Sequence, residues 1–379
     1  MTQRDYRSIT IPHGIKPSDG RFGSGPSKVR PEGVEALAER AEAFLGTSHR
    51  QETVRAEVRR VRAGLSQLFS LPDGYEVVLG LGGATAFWDA MAFGLIESKS
   101  QHLVFGEFSS KCAAAARLAP QIADPEVIES DFGTHPVARP SADIDVYALT
   151  HNETSTGVAM DVSRPATDGL VCVDATSAAG GLAVEATDFD CYYFSPQKGF
   201  GSEGGLWIAL CSPAAIERIG AIASSDRYIP PSLNLQTALE NSLKDQTYNT
   251  PALATVFLMA EQIDWFLAQG GLSWAADRCA RSADVLYTWA DKSVFSAPFV
   301  SDPAQRSNVV GTIDFEGVDA TEISGALRAN GILDTEPYRK LGRNQLRIAM
   351  YPAIDPSDVE ALTRCVDFVY DALVPSSSS

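Results

Sequence analysis

Asp174 and Lys198 stand where side chains could do chemistry. Asp174 closes the apolar run LVCVDA (Leu170 to Ala175), and Lys198 closes in on the end of DCYYFSPQKGF (Asp190 to Phe200). Both runs are short, β-branched or aromatic, and apolar nearly throughout, the pattern of strands covered on both faces of a parallel sheet. Each strand therefore delivers a charged side chain to one sheet edge. A carboxylate and a lysine at the carboxyl ends of strands suit pyridoxal phosphate. The acid keeps the pyridine nitrogen protonated so that the ring accepts electrons, and the amine forms a Schiff base.

Other segments could serve the same edge. LGLGGATAFWDA (Leu79 to Ala90) follows a strand and opens a helix, so its free amides could receive a phosphate against the helix dipole. A dinucleotide reading of Gly80-x-Gly82 fails, because the third glycine of the fingerprint falls on Thr85 and no acid is suitably placed about 20 residues on. His49 and Arg50 lie in GTSHRQ between two helices, and an arginine fork receives phosphate or carboxylate well. HNETSTG (His151 to Gly157) directly follows a strand and shares the edge with Asp174. Arg339, Lys340, Arg343 and Arg347 crowd into PYRKLGRNQLRIAMYP (Pro337 to Pro352), an unusual basic density in an acidic chain.

The elements that must position these groups read as a mostly parallel α/β sheet. Helical stripes cover about 31–45 and 52–69, the second with Val54, Val58, Val61, Leu65 and Leu68 spaced by four and three. Seven apolar runs follow, separated by connectors: 76–80, 102–106, 126–129, 145–150, 170–175, 190–195 and 205–211. A long helix is predicted from about Pro251 to the Gly270-Gly271 stop. Beyond it, helices at 274–289, 321–330 and 355–373 with strands at 309–315 and 346–351 suggest a small α+β domain. The expected division is an N-terminal segment 1–20, a large cofactor-binding domain 21–262, a small C-terminal domain 263–373 and a disordered tail 374–379.

A chain of 379 residues with 45% hydrophobic composition has material for two cores. Its net charge of -17 argues against nucleic acid and anionic membranes as partners. An anionic substrate would need a local arginine cluster to overcome that field. Six scattered cysteines without CxxC spacing point to a reduced, cytoplasmic protein, and the five histidines show no metal-ligand spacing. The opening MTQRDYRSIT lacks an apolar signal core, and no run approaches the roughly 20 apolar residues that span a bilayer.

Taken in order, GTSHR, GGATAFWDA, HNETSTG, DATSAAGG with SPQKGF, NSLKDQTYNTP (Asn241 to Pro251) and LRIAMYP resemble the phosphoserine aminotransferases, in their actinobacterial form, from about Ile15 to Leu373. That resemblance implies fold type I of the PLP-dependent transferases (aspartate aminotransferase-like) and a homodimer with shared active sites. It implies Lys198 as the lysine that bonds the cofactor and Asp174 as the partner of the pyridine nitrogen. Ala84, Thr85 and Gln197 would lie at the cofactor phosphate, Phe108 would stack on the ring, and Thr154 would reach the phenolic oxygen. Asn249 and Thr250 would reach the phosphate from the partner subunit. His49 and Arg50 match the substrate-anion motif, and Arg347 the arginine that takes the α-carboxylate.

Two departures stand out. Many family members carry arginine in the glycine loop where this chain has Ala84, and the usual His-Arg pair upstream of Arg347 is replaced by Tyr338-Arg339 with about two extra residues. Either Arg339 or Arg343 could then meet the substrate phosphate. The implied reaction moves an amino group between L-glutamate and 3-phosphohydroxypyruvate, with a phosphorylated hydroxy-threonine of vitamin B6 synthesis as a further candidate. The rivals are an alanine-glyoxylate type aminotransferase, a cysteine desulfurase, a PLP-binding regulator without turnover and a nicotinamide oxidoreductase.

Overall fold

The computed structural model describes residues 6–374. The serines of the tail, 376–379, lie outside them. Two 3-10 turns, Tyr6–Ser8 and His13–Ile15, lead in, and Ile9 and Ile11 between them are buried against the main core. Helices α1 (Pro31–Phe44) and α2 (Glu52–Leu68) follow. The whole apolar stripe of α2 is buried, which is what spacing by four and three on one helical face dictates.

Seven strands form the large sheet: β1 (Glu76–Leu81), β2 (Ser100–Val104), β3 (Glu126–Glu129), β4 (Val146–Thr150), β7 (Leu170–Asp174), β8 (Cys191–Phe194) and β9 (Leu206–Cys211), in spatial order β1-β9-β8-β7-β4-β2-β3. The hairpin β5 (Asn152–Glu153) and β6 (Val158–Ala159) sits beside it. All seven runs expected from the sequence form this sheet. The second starts and ends two residues early, because Gly106 must turn into a helix. β9 alone runs opposite to the other six strands. The carboxyl ends of β1, β2, β4, β7 and β8 therefore share one edge, with Thr150, Asp174 and Tyr193 paired across β4, β7 and β8.

Helices α3 (Gly83–Gly94) and α4 (Glu107–Leu118) start at that edge, after β1 and β2. Short helices α5 (Pro213–Ala223) and α6 (Leu235–Ser242) precede α7 (Leu253–Gln269), which starts two residues beyond Pro251 and ends on Gly270 at φ 125°. Next come α8 (Gly271–Lys292), β10 (Ser296–Pro298), β11 (Val310–Phe315), α9 (Ala320–Ala329), β12 (Gln345–Ala349) and α10 (Pro356–Leu373). Strands β10, β11 and β12 form an antiparallel sheet. Asp355 caps α10 by accepting from the Ser357 N–H at 2.9 Å. One continuous core joins both sheets, from Ile9 through Phe194 to Val369. Among the described residues no helix is long and apolar enough to cross a membrane, and no cluster of metal-type ligands occurs.

Candidate active site

A cavity of about 390 Å³ opens at the shared sheet edge, within the usual range for small-molecule sites of roughly 300–1,000 Å³. Lys198 reaches it from the turn after β8 and is only 7% exposed. Its Nζ donates to Thr154 Oγ1 at 2.9 Å and lies 5.0 Å from the centre of the Phe108 ring. Burial pulls the amine down from an ordinary 10.5 to about 8, against the opposing pull of the Asp174 carboxylate. A lysine so placed yields a neutral, nucleophilic nitrogen near physiological pH. Gly25 makes room for it: a Cβ there would fall 2.9 Å from Lys198 Cε.

Asp174 is held by three donors. Its Oδ1 accepts from the Thr176 N–H at 2.9 Å and the Thr176 hydroxyl at 2.6 Å, and its Oδ2 accepts from Trp88 Nε1 at 2.8 Å. Trp88 rides on α3, whose first turn also lines the cavity through Gly83, Ala84 and Thr85. Gly82 and Gly83 take left-handed backbone (φ 105° and 76°), which turns the chain sharply enough to aim the helix start at the cavity. Free amides at that start, with Ser195 and Gln197 opposite, make a receiver for a phosphate.

The Thr154 hydroxyl passes the hydrogen-bond chain on, donating to Ser177 Oγ at 2.8 Å, and Ser177 donates to the Asn152 carbonyl at 2.9 Å. Arg347, on β12, enters from the small sheet. It makes no ion pair among the described residues; Nη1 donates at 3.4 Å to the Thr154 carbonyl, and Nε has no partner. Burial lowers its pKa, so an incoming anion would meet a desolvated, underused guanidinium. Tyr338 lies between it and Phe108, with Arg347 5.3 Å from the Tyr338 ring centre and the two aromatic rings 6.0 Å apart.

Of the residues singled out from sequence, Lys198, Asp174, Ala84, Thr85, Phe108, Thr154, Gln197 and Arg347 all line this cavity. Four others gather elsewhere on the chain. His49 Nδ1 lies 3.2 Å from Thr250 Oγ1, Arg50 donates to Gln246 Oε1 at 2.8 Å, and Asn249 Oδ1 accepts from the Thr250 N–H at 2.8 Å. Arg343 is paired with Asp314 and lies 4.4 Å from the Phe299 ring centre. Arg339 is exposed, and its side chain makes no hydrogen bond or ion pair among the described residues. Sequence reading missed Trp88, Thr176, Ser177, Asn152 and Tyr338. Trp88 carried a usable signal, since it falls four residues after Ala84 on one helix face.

The aminotransferase class-V family model matches residues 22–362. The chain belongs to the aminotransferase class-V family. A protein of Mycolicibacterium paratuberculosis named putative phosphoserine aminotransferase is 60% identical over 368 residues, covering 96% of this chain and 98% of that one. A phosphoserine aminotransferase of Nocardioides sp. is 59% identical over 371 residues, covering 97% and 99%. The crystal structure of a phosphoserine aminotransferase from Cytophaga hutchinsonii matches with a TM-score of 0.85 at 25% identity, covering 92% of this chain and 99% of that one. This class-V aminotransferase is a PLP-dependent enzyme of fold type I. The residues present fit the cofactor: a buried amine of lowered pKa, a carboxylate fixed by three donors and a glycine turn with free amides surround one cavity.

Proposed function

We propose that this aminotransferase transfers the amino group of L-glutamate to 3-phosphohydroxypyruvate, giving O-phospho-L-serine and 2-oxoglutarate in serine biosynthesis. The observation that carries the reading is the pairing of a buried Lys198 amine with a buried Asp174 carboxylate, on adjoining strand ends, in a cavity that also holds the unpaired Arg347. Relatives about 60% identical over nearly the full chain carry the name phosphoserine aminotransferase, which supports phosphoserine as the amino product.

Pyridoxal phosphate, when bound, supplies an aldehyde for the amine and a ring that takes up the electron pair left at the substrate α-carbon. The chain does the rest. Lys198 would hold the cofactor through its amine and, as general base and acid, would carry the α-proton of the substrate away and return it. Asp174, pinned by Trp88 and Thr176, would hold the proton on the pyridine nitrogen. Thr154 and Phe108, both beside Lys198 Nζ, would hold the phenolic oxygen and the ring. The amides of Ala84 and Thr85, the Thr85 hydroxyl and Gln197, which line the cavity together, would hold the phosphate.

Arg347 takes the α-carboxylate of either substrate. For the substrate phosphate, Arg339 is the stronger choice. Arg343 is already neutralised by Asp314, whereas Arg339 is unpaired on the 337–342 segment that carries Tyr338 to the cavity.

His49, Arg50, Asn249 and Thr250 act in the cavity of a second subunit. In their own chain they cluster apart from the cavity, next to Tyr248 in the chain, which is 49% exposed. This reading takes the enzyme as a homodimer with shared sites, and a cytoplasmic location agrees with six free thiols. Borohydride trapping and peptide mapping test the core of this reading: label on Lys198 is expected, and label on another lysine, or on none, would overturn it. A half-reaction screen of 2-oxo acids against the amino form of the enzyme then tests the substrates. 3-Phosphohydroxypyruvate is expected to react fastest, and a preference for glyoxylate would replace this assignment with an alanine-glyoxylate type enzyme.

A further inference from the structure

Glu153 is fully buried, yet no part in the reaction has been given to it. It occupies the two-residue strand β5, and every group bonded to its carboxylate is a donor. Oε2 accepts from the Phe108 N–H at 3.1 Å, the Ser109 N–H at 2.9 Å and the Ser109 hydroxyl at 2.9 Å. Oε1 accepts from the Ser155 N–H at 3.1 Å and the Ser155 hydroxyl at 2.7 Å. An acceptor-only side chain thus meets five donors, two of them first-turn amides of α4 that have no partner within the helix.

The capping group is borrowed from a distant part of the chain. The residue that flanks α4 is Gly106, which has no side chain to offer, and a Cβ there would fall 2.2 Å from Glu153 Cγ and 2.7 Å from Ser155 Oγ. The absent side chain at 106 leaves the space that the carboxylate fills. Two neighbours of the Lys198 amine are thereby joined to one group. Phe108, whose ring lies 5.0 Å from Nζ, is tied through its own N–H, and Thr154, whose hydroxyl accepts from Nζ at 2.9 Å, is the next residue in the chain.

We propose that Glu153 is a positioning residue for the cofactor, fixing the spacing between the Phe108 ring and the Thr154 hydroxyl between which Lys198 Nζ is held. The inference rests on the assignment of Lys198 and Phe108 given above and extends it to a group that need not touch the cofactor. The Glu153 charge also acts on Lys198, favouring its protonated form alongside Asp174 and against Arg347.

Glu153→Gln tests this, since the amide keeps the shape but loses the charge and turns a donor toward the five donors. In the cofactor-free protein the pH midpoint for acylation of Lys198, read by peptide mapping, is expected to fall. Affinity for pyridoxal phosphate, read by fluorescence quenching, is expected to weaken about tenfold, the size of one lost hydrogen bond to a charged group. A lowered melting temperature with both readouts unchanged would make Glu153 a helix cap alone and overturn the proposal. Should that variant fail to fold, Ser109→Ala keeps the charge and removes one donor. Weaker cofactor binding is then expected, and wild-type affinity overturns the proposal. Borohydride label on a lysine other than Lys198 in the unaltered enzyme would instead refute the cofactor reading itself, so the two failures stay distinct.

Discussion

Trp88 and Asp174 are joined by a 2.8 Å hydrogen bond running from the indole nitrogen on α3 to the carboxylate at the end of β7. The same helix begins at the glycine turn that lines the cavity, so one rigid element sets both that turn and the orientation of Asp174. Trp88→Phe keeps most of the ring and deletes the donor. The cost expected is about 1–3 kcal/mol of stability, because a buried carboxylate oxygen loses a partner. Turnover should fall roughly tenfold or more, since an Asp174 freed on one side holds the pyridine proton less firmly. Chemical unfolding and steady-state kinetics on the variant check both, and wild-type kinetics would remove Trp88 from the site.

Lys198→Ala is expected to abolish transamination while the protein still folds and binds pyridoxal phosphate without a covalent bond. The absorbance of the bound cofactor and a glutamate half-reaction read this directly. Residual turnover near that of the unaltered enzyme would show that another base moves the proton.

The depressed amine of Lys198 carries a pH signature. In the unfolded chain the group keeps its proton up to about its ordinary 10.5, while in the fold it gives the proton up near 8. Between those values the unfolded state binds more protons, so the contribution of Lys198 to the stability of the cofactor-free protein rises with pH across that window. Below pH 8 the burial of its charge counts fully against the fold. The difference in unfolding free energy between the unaltered protein and Lys198→Met should therefore move in favour of the lysine form as pH rises from 8 to 10.5. A flat difference would place the amine in a more hydrated setting than its burial indicates.

Arg347→Ala should raise the KM for both glutamate and the phosphorylated 2-oxo acid by roughly 10- to 100-fold, the loss of a charge-assisted bond worth about 1.5–3 kcal/mol. Arg343→Ala, which removes a residue already paired with Asp314, should leave the phosphorylated substrate's KM within about twofold, whereas Arg339→Ala should raise it. The reverse order would transfer the phosphate role to Arg343.

Mixing two inactive variants separates a shared site from a self-contained one. If Arg50 serves the partner's cavity, a Lys198→Ala subunit paired with an Arg50→Ala subunit regains one intact site, and random pairing restores about a quarter of the full activity. If Arg50 serves its own cavity, no site is restored. Activity after subunit exchange is the measurement.

Much of the scaffold was legible from periodicity alone. The seven apolar runs, the stripe of α2 and the glycine stop of α7 are local patterns, and each became the expected element because burial on two faces or one demands that residue order. Asp174 and Lys198 were legible for the same reason: strands that must be apolar expose any charge that follows them. Ser177 and Tyr338 were not, because their partners lie 23 and 9 or more residues away and no local pattern encodes such a meeting; for Trp88 the helix face it shares with Ala84 was legible, but not its bond to Asp174, 86 residues on.

By itself the sequence determined the seven strands of the large sheet, that they lie mostly parallel, and which charged residues arrive at their ends, since those follow from short-range periodicity and chain direction, whereas the short strands β5, β6 and β10 carried no such pattern. Only the tertiary structure decided that Glu153 would fill the space left at Gly106, that Arg347 would reach Lys198's cavity unpaired, and that His49, Arg50, Asn249 and Thr250 would gather apart from it. Those outcomes depend on the packing of elements distant in the chain, where shape and desolvation of whole surfaces, rather than the preferences of neighbouring residues, choose the partners.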